Sequence, residues 1–313
     1  MSSICEQQGW FSAAVNRPVF YRLWQPPGKI AAVVQIMHGM AEHSGRYGDF
    51  AAFMAGHGYL VAANDHPGHG ETGAQAGGMG LFARRDGWQT ACQALQAFNT
   101  WLQRSYGLPV IVLGHSMGSF FARCLLTRQP QLAQRWILSG SGDYPLSKRL
   151  AGRLVTSASL LLVPPDQPSR LVQRLIFRPF KRRFRTEAQR FAWLCSDPAV
   201  SAAYAADPYC GWIGSASLYR DLFVGLGEAH RWHALKQQAA TRAAPEVLVI
   251  GGAEDPVGEF GRGLRRLTRH LHWAGVATRL QCYPGMRHEV LHEIDKSRVW
   301  QDVLAFCEAS ARR

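Results

Sequence analysis

The chain of 313 residues has no uninterrupted apolar run of the length of about 18 residues that crossing a bilayer requires. Its opening, Met1-Ser-Ser-Ile-Cys-Glu-Gln-Gln-Gly-Trp10, lacks the basic segment and apolar stretch of a secretory signal. Cysteine is sparse and unpatterned: seven residues, at 5, 92, 124, 195, 210, 282 and 307, with no C-x-x-C pair. An odd, scattered set excludes a disulfide framework and reads as reduced thiols used as small apolar core residues. A cytoplasmic protein is the expectation. No internal repeat or low-complexity tract is present. Acidic residues are in deficit, 22 Asp and Glu against 35 Lys and Arg, for a net charge of +13. Such a balance favours anionic partners, of which nucleic acid and anionic lipid are the common ones.

With 47% hydrophobic and 18% charged residues, the composition is that of a folded globular chain. One α/β domain carrying an insertion fits the length better than two equal domains. The segment up to about Trp24 has β-rich, aromatic character. Beyond Pro26-Pro27-Gly28, short apolar strands alternate with amphipathic helices. Strands are expected at 31–37, 59–63, 110–113, 135–139, 245–251 and 278–283. Helices are expected at 49–57, 87–106, 119–127, 258–273 and about 295–309. This alternation predicts a mainly parallel sheet covered on both faces. The pattern breaks between Gly142 and about Trp232, where an apolar stretch at 150–163 is followed by an Arg- and Phe-rich stretch at 171–185. The expected division is a core of 1–141 and 233–313, with a helical lid at 142–232 over the open end of the sheet. Residues 144–235 hold thirteen Lys or Arg against six Asp or Glu, so +7 of the +13 lies in the lid.

The chemistry is concentrated around Gly114-His-Ser-Met-Gly118, between a β-branched strand and a helix. This is the G-x-S-x-G elbow, in which a sharp strand-to-helix turn lifts a serine hydroxyl above the sheet. A serine needs a base to take its proton and an acid to hold that base. Asp255 and His288 follow in the required order, each just past the carboxyl end of a strand, the edge where open α/β sheets build their sites. Glu254 and His292 are the competing acid and base. Asp255 is preferred because a residue before proline is held out of the helical region. The backbone N–H groups of Met117 and of Met40, in His38-Gly39-Met40, are the expected oxyanion donors.

Taken together, the blocks His38-Gly-Met-Ala-Glu-His-Ser-Gly-Arg-Tyr47, Asp65-His-Pro-Gly-His-Gly70, Gly114-His-Ser-Met-Gly118, Gly252-Ala-Glu-Asp255 and Tyr283-Pro-Gly-Met-Arg-His288 resemble the monoacylglycerol lipase and lysophospholipase branch of the α/β-hydrolases. The resemblance covers about residues 10–310 and is nearest to bacterial lysophospholipase-like members; the lid departs most. It implies Ser116, Asp255 and His288 as the triad and Met40 and Met117 as oxyanion donors. It also implies contacts from Glu42 and Arg46 to a glycerol-like head group, although a loop-stabilising ion pair explains those two residues equally well.

A metal site among His38, His43, Asp65, His66 and His69 is disfavoured, because a Pro-Gly turn lacks the helical spacing of paired zinc ligands. A tight turn is the simpler reading, and no cofactor is expected. In the lid, Leu171, Leu175, Ile176, Phe177, Phe180 and Phe184 interleave with arginines, the composition of a helix lying on anionic lipid. Packing of this stretch onto the core is the alternative, and no nucleic-acid motif accompanies the charge. The expected function is hydrolysis of a single-chain lipid ester, with the acyl tail under 150–163 and no obligate protein partner. Small-ester hydrolysis, acyl transfer and peptide cleavage use the same triad. A catalytically silent acyl- or membrane-binding module is the reading from another class.

Overall fold

The computed structural model describes residues 4–12, 18–241 and 245–309. Strands β1 (Cys5–Ser12), β2 (Pro18–Gln25), β3 (Ala32–Met37), β4 (Tyr59–Asn64), β5 (Val110–His115), β6 (Arg135–Ser139), β7 (Glu246–Gly252) and β8 (Ala277–Tyr283) form one sheet in the order β1-β2-β4-β3-β5-β6-β7-β8. From β4 to β8 all neighbours are parallel, while β1 and β2 add an antiparallel edge. Strands β3 to β6 are buried along their whole length, which explains their unbroken apolar sequences. Alternate residues serve opposite faces: Val33 and Val112 belong to one core, Val34 and Ile111 to the other.

Helices α1 (Gly48–Gly56) and α11 (Lys296–Glu308) cover one face. The other carries α3 (Gly87–Tyr106), α4 (Met117–Arg128) and α10 (Arg262–Trp273), with a short α2 (Gly70–Gln75) beside β2. On α3 the expected stripe of Trp88, Cys92, Leu95, Phe98 and Leu102 is buried. Helix α10 begins four residues later than its periodicity suggests. Glu259, Phe260 and Gly261 stand at φ of 50°, 56° and 80°, a left-handed run that no right-handed helix accommodates.

Between β6 and β7 the chain forms α5 (Leu146–Ser159), α6 (Arg170–Lys181), α7 (Pro198–Ala206), α8 (Ala216–Ala229) and α9 (Trp232–Thr241). Helices α8 and α9 pack on α4, and α5 lies on α8. The apolar stretch 150–163 is not uniformly placed against one cavity. Gly152, Val155 and Thr156 face a cavity, whereas Leu154, Leu161 and Leu162 are 73%, 86% and 78% exposed. No described helix is long and apolar enough to cross a membrane.

Candidate active site

Ser116 leaves β5 at φ 52° and ψ −118°, a conformation that costs a residue with a side chain about 1–3 kcal/mol. Packing enforces it. A Cβ on Gly118 would stand 1.9 Å from the Met37 carbonyl oxygen, and one on Gly114 would stand 2.4 Å from that of Gly118. The two glycines let β3, β5 and α4 close on one another. The turn is pinned by Ser116 N–H donating to Ser139 O (2.9 Å) and by Ser119 N–H and Oγ–H donating to Ser116 O (2.9 and 2.6 Å). Met117 is the first residue of α4, so its N–H has no acceptor within the helix.

His288 and Asp255 are both buried, with Nδ1 of the imidazole 3.0 Å from a carboxylate oxygen of Asp255. A carboxylate only accepts, so Nδ1 carries the proton and Nε2 is left as the acceptor. Asp255 also accepts from Val257 N–H at 2.8 Å, which fixes its carboxylate. Of the rival groups, Glu254 pairs with Arg183 at 2.6 Å. His292 lies beside Tyr47, with ring centroids 5.6 Å apart, and does not line the cavity holding Ser116 and His288. Burial pushes His288 down, but Asp255, with help from Glu289 and Glu42, holds it above its ordinary value. Neighbouring His115 is pushed down to about 4 by burial and by His288, so it is neutral at pH 7.

The loop after β3 is shaped by Glu42. Its carboxylate accepts from Gly39 N–H, from Tyr47 O–H (2.9 Å) and from Arg46 (2.6 Å). Arg46 then forks onto Glu289 with two bonds of 2.7 Å. Burial raises both carboxyls, yet Arg46 holds each below its usual range; the guanidinium in turn is held above its own by the carboxylates. Glu42 lines the cavity, whereas Arg46 does not. Their polar capacity is committed to each other, to Tyr47 and to Glu289, which is the ion-pair reading of the two residues. What they position is the stretch Gly39-Met40, which lines the cavity beside Ser116.

Sequence reasoning assigns no part to Glu289, Tyr47, Trp193 or Tyr204. Tyr47 closes the block that begins at His38 and was within reach of spacing alone, whereas Glu289, although it directly follows the histidine, gains its part only through the distant Arg46. Trp193, whose ring centroid is 5.3 Å from that of His288, sits in the divergent insertion and carried no signal.

The histidine-rich turn is structural. His38 Nδ1 donates to Gly39 O (2.8 Å), and its Nε2 accepts from His66 N–H (3.0 Å). His66 Nε2 donates to His38 O at 2.9 Å and His69 Nδ1 to Pro67 O at 3.0 Å. Burial pushes His38 and His69 down to about 3. Asp65 accepts from the N–H groups of Ser44 and Glu71, both at 2.8 Å. Among the described residues, His43, Asp207 and Cys210 form the one group with ligand atoms within 4.8 Å of one another. There His43 Nδ1 accepts from Gly45 N–H (3.2 Å), so Nε2–H donates to Asp207 (2.9 Å). Burial keeps the Cys210 thiol protonated. The group ties the insertion to the loop after β3.

Above the floor lies a cavity of about 410 Å³, walled by α5, α6, α8 and residues 190–194. Val155, Val172, Leu175, Ile176, Leu222, Phe223 and Leu226 make it largely apolar.

An eight-stranded, mainly parallel sheet with a strained serine at the end of β5 and a buried Asp–His pair past β7 and β8 defines an α/β-hydrolase. The family model described as "Serine aminopeptidase, S33" matches residues 28–295, and the chain belongs to that family. It is similar to the monoacylglycerol lipase of Mycolicibacterium smegmatis, at 30% identity over 321 residues and 98% of each chain. It is also similar to the monoglyceride lipase of Homo sapiens, at 36% identity over 116 residues, 36% of this chain and 35% of that one. A solved lipase in an open form superposes with a TM-score of 0.83 and 26% identity, covering 99% of this chain and 100% of the other.

Proposed function

We propose that the protein is a carboxylic ester hydrolase acting on single-chain lipid esters, monoacylglycerols or lysophospholipids, through Ser116, His288 and Asp255. The observation that carries the reading is the 3.0 Å Asp255–His288 bond beside a serine held at a positive φ, all beneath one apolar cavity. His288 Nε2 takes the Ser116 proton as Oγ attacks the ester carbonyl. The oxyanion forms against the N–H groups of Met40 and Met117, and Asp255 stabilises the imidazolium. As the C–O bond breaks, His288 returns the proton to the leaving alcohol. Water, deprotonated by the same imidazole, then releases the fatty acid from Ser116.

The family's description and the relatives' names point to different substrates. An aminopeptidase must hold a substrate ammonium, for which an uncommitted carboxylate is the natural partner. Glu42 and Glu289, the carboxylates lining the cavity, are both engaged by Arg46. This favours esters, and the apolar walls favour an acyl chain. Exposed Leu154, Leu161 and Leu162, with arginines along α5 and α6, suit a surface that rests on anionic lipid.

The test is fatty-acid release from 1-monooleoylglycerol and from lysophospholipid by the wild type and Ser116→Ala, alongside fluorophosphonate labelling. Release and labelling that both vanish in the variant support the reading. Cleavage of p-nitrophenyl acetate with neither lipid touched would overturn the lipid assignment.

A further inference from the structure

We infer that Lys181 and Arg190 form an anion subsite on the leaving-group side of the cavity, selecting esters whose alcohol carries a phosphate, such as monoacylglycerol phosphates. The inference rests on the ester-hydrolase reading and deepens it. The side follows from mechanism: the oxygen that departs is the one His288 protonates, so the alcohol lies along the wall next to that imidazole. Trp193 is that wall, 5.3 Å from His288 between centroids, with Phe180 packed on it at 5.4 Å. Lys181 directly follows Phe180, and Arg190 lies three residues before Trp193.

Both cations meet over one ring that lines the cavity. Lys181 Nζ lies 5.7 Å, and Arg190 Cζ 4.9 Å, from the centroid of Phe191. Phe191 in turn packs edge-on against Tyr204 at 4.8 Å, and Tyr204 O–H donates to Ala41 O (2.7 Å) in the loop after β3. The two charges thus stand at the rim, above the same loop that supplies Met40.

Neither charge is neutralised. Two nearby cations do find carboxylates: Arg183 pairs with Glu254 at 2.6 Å, and Arg287, from the loop that bears His288, bonds Glu187 at 2.6 and 2.8 Å. Among the described residues no carboxylate lies within ion-pair distance of Lys181 or Arg190. Partial burial and the adjacent Arg190 push the Lys181 ammonium below its ordinary value. Two like charges on one ring, without a counterion and facing a cavity, are stabilised by an anion. The floor has the opposite character, since Glu42 and Glu289 share one arginine. That arrangement repels a phosphate from the catalytic centre and leaves the rim as its seat. Lys148 and Arg149 also line the cavity, but Lys148 is paired with Glu259 and Arg149 bonds the Tyr144 carbonyl, while Gly152, Val155 and Phe223 supply apolar lining for the acyl chain.

The test uses 1-octanoylglycerol and 1-octanoylglycerol 3-phosphate as dispersed monomers, so no lipid surface contributes. The wild type should prefer the phosphate ester, and Lys181→Gln/Arg190→Gln should reduce that preference about tenfold through KM, about 1.4 kcal/mol of binding. The neutral ester should be unaffected, and Lys181→Arg/Arg190→Lys should keep the preference. Glycerol 3-phosphate should compete in the wild type and lose potency in the Gln variant. Equal loss on both esters, or a wild type indifferent to the phosphate, overturns the subsite while leaving the hydrolase intact. A defect seen on anionic vesicles and absent with monomers overturns it in favour of a surface-docking role. Failure to cleave either ester overturns the hydrolase reading itself.

Discussion

The floor of the site and the helices above it spend their charges in opposite ways. On the floor, the buried carboxylates of Glu42 and Glu289 are both bonded to the half-buried Arg46, and Asp255 is committed to His288 and Val257. Above, α5 and α6 expose leucines to solvent and leave cations unpaired. A buried charge tolerates no missing partner, because its desolvation is offset only by its neighbours. An exposed one tolerates many arrangements. The floor is therefore built for a fixed geometry, whereas the upper layer tolerates many arrangements of its charges.

The sharpest break comes at the floor's centre. Ser116→Ala should lower ester hydrolysis by roughly 10⁴-fold or more with unchanged thermal unfolding, checked by fatty-acid release and calorimetry. Next, Arg46→Met leaves two buried carboxylates facing each other and should cost about 3–5 kcal/mol of stability, measured by denaturant unfolding. The pH dependence has a definite sign. Glu42 and Glu289 are held below their ordinary value of 4.5, so their contribution is fully present above about pH 4.5. It is lost as pH falls through the lowered folded values. A smaller effect concerns the base. His288 acts unprotonated and is held above its ordinary 6.5, so the acid limb of kcat/KM should turn at a pH above 6.5. Below that turn activity should fall about tenfold per pH unit. The smallest effect on the fold lies in the upper layer. Leu161→Ser/Leu162→Ser should change stability by about 0.5 kcal/mol or less, because both side chains are exposed. Partition onto phosphatidylglycerol vesicles should weaken, with soluble-ester hydrolysis unchanged. A loss on soluble esters would place these leucines in the site and undo the contrast.

The same division governs what could be read from the chain. Sheet strands that are buried on both faces announce themselves as short β-branched runs, and the turn at Gly114–Gly118 is dictated by close backbone approach. Residues 135–139 and 87–106 accordingly form the expected strand and helix at the expected bounds. Glu289 is different: its role depends on Arg46, 243 positions away, and only folding brings the pair together. Periodicity also missed the left-handed run at Glu259-Phe260-Gly261, since it registers spacing and is blind to backbone handedness. The stretch 150–163 was legible as apolar, but composition alone could not divide buried, cavity-facing Thr156 from exposed Leu154.

The loop bearing His288 is stitched to the segment just before α7. Arg287 donates to the carbonyls of Ala192 (2.5 Å) and Cys195 (3.3 Å), and Glu289 N–H donates to Leu194 O (2.7 Å). Glu293 accepts from both Arg287 N–H (2.7 Å) and Ser196 N–H (3.0 Å). Residues 191–196 thus belong mechanically to the loop of the proposed base, although they fall within the insertion. A chimera that exchanges insertions with a relative would inherit a working enzyme only if this strap travelled together with the histidine loop. Cut between them, the imidazole would lose its seat.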